Sequence, residues 1–208
     1  MLQQFKVYRH NIRFRKIQEH SEATYQHWLE QGKPLPVPHI AKQKTIQEYK
    51  NRYGIGTLVE TGTYLGDMVA AQLPHFSLLI SIELSEELHK RAKIRFRKNR
   101  EVKLYQGDSG KVLHHIVPKL KEPAIFWLDG HYSAGITAKG DLICPIYAEL
   151  DAIFKQTDVP HVLLIDDAQD FTGQHDYPTL EALTAYIHKL APAYRVEVKD
   201  YVIRVTRG

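Results

Sequence analysis

A chain of 208 residues, 43% of them hydrophobic, is long enough for one sizeable core and short for two. Its formal charge of +4 permits an anionic ligand without demanding nucleic acid, and no apolar stretch approaches the roughly 20 residues needed to cross a bilayer, so no membrane association is expected. The single cysteine, Cys144, excludes an internal disulfide, and with no cationic-then-apolar leader at Met1 a reducing, cytoplasmic location is expected.

Residues 1–33 carry charged, helix-forming residues around Phe5, Ile12, Ile17, Tyr25, Trp28 and Leu29, and end at Gly32 before Pro34-Leu35-Pro36-Val37-Pro38. Alternating prolines break a helix and favour an extended connector. The expected organisation is an N-terminal helical extension with a Pro-rich connector over residues 1–40, then a main domain over 41–208 that opens with a helix near Ala41–Tyr53. From Thr57, β-rich runs alternate with helical ones. The strands are expected at Thr57–Thr61, Leu78–Glu83, Val102–Gln106, Ala124–Leu128 and His161–Ile165, each apolar on both faces or nearly so, as when helices cover both sides of a parallel sheet. The helices are expected at Asp67–Leu73, Glu86–Lys98, Ser109–Val117, Ile143–Lys155 and Thr179–Leu190. Tyr194–Val198 and Tyr201–Thr206 are joined only by Lys199-Asp200, too short for a helical crossover and right for a hairpin. The fold class is therefore α/β: a doubly wound, mostly parallel seven-stranded sheet with an antiparallel C-terminal hairpin.

In such sheets ligands bind outside the carboxyl ends of the strands, where strand order reverses. Each of the five expected parallel strands carries an acid at or just past its end: Glu60, Glu83, Asp108, Asp129 and the pair Asp166-Asp167. One such acid is an ordinary helix cap, and Asp67 or Asp108 taken alone reads that way. Five together repel one another unless cations, hydroxyls or amines occupy the cleft. In the first loop, LVETGTYLGD over Leu58–Asp67, Gly62 and Gly66 allow a tight turn and close approach of a ligand, and the helix that follows aims its amides at the cleft. Glu83, twenty-one positions after Gly62, is placed to accept the two hydrogen bonds of a ribose diol.

The runs ETGTYLG, SIELS, YQGDS, FWLDGHYS and LLIDD resemble class I S-adenosylmethionine-dependent methyltransferases from about residue 54 to the C-terminus, and within them the metal-assisted O-methyltransferases of the catechol and macrolide-sugar type. The resemblance implies S-adenosyl-L-methionine as cofactor, with Glu60, Gly62, Thr63 and Gly66 at its methionine part, Glu83 on the ribose, and Asp108 and Ser109 against adenine. It also implies a divalent ion on Asp129, Asp166 and Asp167, with Asp129 beside the methyl donor; hard carboxylate oxygens suit Mg²⁺ or Ca²⁺ there. His131 is a general base, a loop cap or a metal ligand; sugar-modifying members carry an acid there and catechol-type members a lysine nearby. The acceptor implied is a small molecule, by way of a hydroxyl. A non-catalytic nucleotide-binding or scaffolding module of the same fold is the alternative. An NAD-dependent oxidoreductase is disfavoured, because the G-x-x-x-G spacing lacks the third glycine and the terminal hairpin departs from the dinucleotide fold.

The loop Tyr132–Asp141 reads as a substrate lid. The basic run Lys90–Arg100 reads as a solvated helix face and not an RNA surface, with Leu88, Ala92 and Phe96 turned inward. The N-terminal basic segment, with Lys6, Arg9, Arg13, Arg15 and Lys16, packs its aromatic neighbours on a partner, on the cleft or on a second subunit, so a homo-oligomer through this extension is one expectation. Cys144 and Trp127 are expected to be buried.

Overall fold

The computed structural model describes residues 22–130 and 144–208. The described residues fall into two compact units that divide between Gln47 and Glu48. In the first, a helix over residues 22–30 (α1) ends in a turn at Gly32, and the Trp28 indole donates to the Pro34 carbonyl at 2.7 Å, fixing the proline run to the helix. Lys44, from the first half of α2 (His39–Tyr53), pairs with Glu22 at 2.9 Å and lies over the Tyr25 ring.

The second unit is built on β1 (Thr57–Thr61), α3 (Asp67–Gln72), β2 (Leu78–Glu83), α4 (Glu86–Arg95), β3 (Val102–Gln106), α5 (Ser109–Ile116), β4 (Ala124–Leu128), α6 (Ile146–Phe154), β5 (Val162–Ile165), α7 (Leu180–Leu190), β6 (Tyr194–Lys199) and β7 (Val202–Arg207). The sheet runs β3-β2-β1-β4-β5-β7-β6. Its first five strands are parallel and β7 enters antiparallel against β5, with Leu164 opposite Arg204. Strand order reverses between β1 and β4, which puts the crevice expected for a ligand beyond Thr61 and Leu128.

Alternation along the strands assigns the two faces. Val59, Ile80, Ile82, Phe126, Leu128, Leu163, Ile165, Ile203 and Val205 pack with Leu113, Ile116, Leu150, Ile153, Leu183 and Ile187 of α5, α6 and α7 in one core. Thr61 shares that face with Val59. Glu60 points the other way, in register with Ser81 on one side and Trp127 on the other. Cys144 and Trp127 are both buried, and burial pushes the Cys144 thiol up to about 12.

Several boundaries shift for local reasons. α4 stops at Arg95, not Lys98, because Phe96 leaves helical geometry and buries its ring. α6 starts at Ile146, after Pro145, whose ring disfavours helical backbone in the residue before it. β5 starts at Val162, because the His161 ring turns aside to accept the Ala124 amide at 3.1 Å. The hairpin turns on Asp200-Tyr201, one residue later than the spacing predicts; both have positive φ (52° and 62°), as a tight two-residue turn requires. β3 is not apolar on both faces: it is an edge strand, with Lys103, Tyr105 and Gln106 exposed. The basic run sits as expected, with Leu88 and Ala92 buried and Lys90 and Arg91 paired on the exposed face with Glu86 and Glu87.

Candidate active site at the carboxyl edge of the sheet

The loop leaving β1 is held from both sides. Gly62 and Thr63 donate their amides to the Ile82 carbonyl at 2.9 and 3.2 Å, laying the loop across the end of β2. Gly62 has φ +84°, and a β-carbon on it would lie 2.3 Å from the Asp129 carbonyl oxygen. Gly66 has φ +79° and caps α3; its β-carbon would meet the Phe96 ring at 2.7 Å. The packing of the protein on itself therefore demands both glycines, where the sequence pointed to the approach of a ligand. Arg95 clamps the same turn, donating to the Leu65 carbonyl and to Asp67 at 2.7 Å. Asp67 is thus an ion-pair partner inside the first turn of α3, and Gly66 holds the cap position.

Beneath this loop the buried Glu60 ends a chain of hydrogen bonds. Thr63 and Ser81 hydroxyls lie 2.6 Å apart, and Ser81 donates to Glu60 at 2.5 Å. Burial pushes the Glu60 carboxyl up to about 8, against the opposing effect of the Ser81 bond and with the Glu83 charge adding to it. Part of the repulsion expected among the strand-end acids is relieved in this way, since Glu60 holds a proton near neutrality. Glu83 accepts the Tyr64 amide on Oε2 and the Ser85 amide on Oε1, both at 2.8 Å. A carboxylate oxygen has two acceptor positions, so one remains on each.

Asp108 sits at the N-cap of α5 with no side-chain cap bond, and the Lys111 ammonium lies 3.8 Å from its carboxylate. The capping role expected of this aspartate taken alone is therefore not the one it plays, and Ser109 follows it as the first residue of the helix. Across the switch point, Asp129, Asp166 and Asp167 converge, with one carboxylate oxygen of each lying within 4.8 Å of the others. Asp166 is buried, accepts the Asp167 amide at 2.9 Å, and is followed by left-handed backbone at Asp167 (φ 53°). Three hard oxygen donors at this separation suit Mg²⁺ or Ca²⁺. His131 and the loop Tyr132–Asp141 lie outside the described residues.

Two residues near this edge belong to no sequence motif. Tyr177 is held in a T-shaped contact with Phe171; burial raises its phenol pKa, and the charges of Asp170, Asp167 and Asp129 add to the effect. Glu149 of α6 is buried, with the Asp108 charge nearby, yet in the sequence it is one more polar residue in an amphipathic helix.

The architecture is a Rossmann-like α/β fold that solved methyltransferases share. The sequence matches no protein-family model and no curated protein. The fold is shared with an O-methyltransferase from Bacillus cereus in complex with S-adenosylhomocysteine (15% identity, TM-score 0.59, 90% of each chain). It is shared equally with the S-adenosylhomocysteine-bound methyltransferase PaMTH1 of Podospora anserina (17% identity, TM-score 0.57, 91% of this chain and 86% of that one). The O-methyltransferase TomG of Streptomyces achromogenes, in complex with S-adenosylmethionine, adds a third (14% identity, TM-score 0.56, 81% and 80%). The resemblance to class I methyltransferases drawn from the motifs thus holds at the level of the fold. No helix among the described residues is long and apolar enough to cross a membrane.

Proposed function

We propose that the chain is an S-adenosylmethionine-dependent methyltransferase that acts on a hydroxyl of a small-molecule acceptor, assisted by a divalent ion such as Mg²⁺. The observation that carries this reading is adjacency at the switch point: a nucleoside-shaped half, made of the Glu60–Gly66 loop, Glu83 and Asp108-Ser109, abuts an acidic half made of Asp129, Asp166 and Asp167. The remaining acceptor positions of Glu83 suit a ribose diol. Asp108, free of a capping role, suits the amine donors of adenine, with Ser109 beside it. The loop at Gly62, Thr63 and Gly66, stiffened by Arg95 and seated over Glu60, suits the amino-acid end of the cofactor.

Bound there, the cofactor supplies an electrophilic methyl group on sulfur. A divalent ion on the three aspartates would supply Lewis acidity toward an acceptor oxygen. The protein's own contribution is alignment. Asp129 belongs to both halves, since its backbone touches Gly62 while its carboxylate joins Asp166 and Asp167, so the methyl donor and the acceptor would meet at a fixed geometry. His131, two residues beyond Asp129, serves as base, loop cap or metal ligand in this scheme. Binding decides the central point: calorimetry should detect S-adenosylhomocysteine and no NAD, and tight NAD binding without a response to S-adenosylhomocysteine overturns the reading.

A further inference from the structure

Glu149 is a buried acid with no part in the scheme above. It is 1% exposed, and among the described residues neither carboxylate oxygen has a hydrogen-bond partner of good geometry; nor does the buried Thr61 hydroxyl. Both aim at one place. A β-carbon on Gly130 would lie 3.1 Å from Thr61 Oγ1 and 3.2 Å from Glu149 Oε1, so the acid lies directly under the turn that follows β4. Burial pushes its carboxyl up to about 7, while the Ser109 and Thr61 hydroxyls are near enough to oppose the shift. α5 and α6 meet without slack at this point, because a β-carbon on Gly110 would come 2.6 Å from the Ala148 β-carbon. A displacement of residue 149 is therefore passed directly to the first residues of α5. A leucine would fill the same space with no carboxylate to desolvate, so packing alone does not account for an acid here.

We propose that Glu149 is a positioning residue for nucleoside binding: held under Gly130, its carboxyl sets Thr61 at the end of β1 and Ser109 at the start of α5 relative to one another. It acts through Asp108-Ser109 and the switch-point crevice and does not touch the reacting atoms. The inference rests on the reading of this edge as a cofactor site.

Three variants of the full chain test it: Glu149→Leu, Glu149→Gln and Thr61→Val. Each is compared with wild type in melting temperature without ligand and in calorimetric affinity for S-adenosylhomocysteine. Glu149→Leu should melt at or above the wild-type temperature and yet bind about five- to tenfold more weakly, a loss of about 1–1.4 kcal/mol transmitted through the Asp108-Ser109 turn. Glu149→Gln keeps the shape and polarity and should bind within about threefold of wild type. Thr61→Val should lose affinity without losing stability, and it keeps the proposal open to refutation if Glu149→Leu does not fold. Unchanged affinity in Glu149→Leu or in Thr61→Val overturns the inference. So does a joint fall in stability and affinity that glutamine does not rescue, which marks a merely structural residue. If wild type itself does not bind S-adenosylhomocysteine, the parent reading fails and takes this one with it.

Discussion

Gly62 stands so close to Asp129 that a β-carbon on it would fall 2.3 Å from the Asp129 carbonyl oxygen, so the loops after β1 and β4 touch backbone to backbone. Alanine there must push the loops apart and also hold φ near +84°, which costs an L-residue about 1–2 kcal/mol by itself. Gly62→Ala should destabilise by more than that figure and lose S-adenosylhomocysteine affinity. Gly54→Ala is the control: φ is +66°, but nothing lies within 4 Å of the new atom, so only the backbone cost should appear in urea denaturation. Equal costs at the two positions would mean that the contact with Asp129 is not constraining.

Glu83 holds two amides and, in the proposed scheme, a ribose. Glu83→Ala should lower S-adenosylhomocysteine affinity by about one to two decades, since hydrogen bonds to a charged group contribute about 1.5–3 kcal/mol. It should also destabilise the free protein, because the Tyr64 and Ser85 amides lose their acceptor. Loss of stability with unchanged affinity, read by melting and calorimetry together, would make Glu83 a loop clamp only.

The sheet was legible because its signal is physical and local: runs such as Ala124–Leu128 are buried on both faces, and so read as apolar throughout. The acids at strand ends were legible for a topological reason, since doubly wound sheets put their ligands there. Glu60 and Glu149 mark the boundary of that method. Both are buried carboxyls under the same edge, one on each face of the sheet, because consecutive residues Glu60 and Thr61 point opposite ways. Glu60 closes a strand and was seen; Glu149 sits inside a helix whose alternation explains any polar residue, and only the fold brings it beneath Gly130. The glycines carry a demand that their spacing does not show: a β-carbon at Gly62 or Gly66 would run into Asp129 or Phe96, so the packing of the chain on itself requires both, whatever the loop binds.

These two carboxyls set a pH dependence of stability. Each has a folded pKa above its ordinary 4.5, Glu60 at about 8 and Glu149 at about 7, so over that interval the unfolded chain gives up its proton first. Their contribution is therefore most favourable below pH 4.5 and declines as pH rises, Glu149 levelling off near 7 and Glu60 near 8. The slope from each approaches at most about 1.4 kcal/mol per pH unit. Melting measured from pH 5 to 8 should fall, and Glu149→Gln should flatten the lower part of that decline while Glu60→Gln flattens its whole course. A profile identical in wild type and both variants would mean that neither carboxyl is protonated in the native state.

The metal prediction separates the two halves of the site. Asp129, Asp166 and Asp167 bring oxygens within 4.8 Å of one another, and the repulsion among them is relieved by binding a cation. Mg²⁺ at about a hundredfold excess over its Kd should then stabilise the protein by about 2.7 kcal/mol, a rise in Tm of about 5–10 °C for a chain of this size. Asp166→Asn combined with Asp167→Asn should abolish that rise and leave S-adenosylhomocysteine affinity nearly unchanged, because the nucleoside half is built on Glu60, Glu83 and Asp108 across the switch point. The measurement is a Mg²⁺ titration followed by melting, run beside calorimetry with the cofactor product. A wild type that gains no stability from Mg²⁺, together with methyl transfer that survives chelation, would assign the three aspartates to orienting the β4 and β5 turns. Proton removal from the acceptor would then fall to His131.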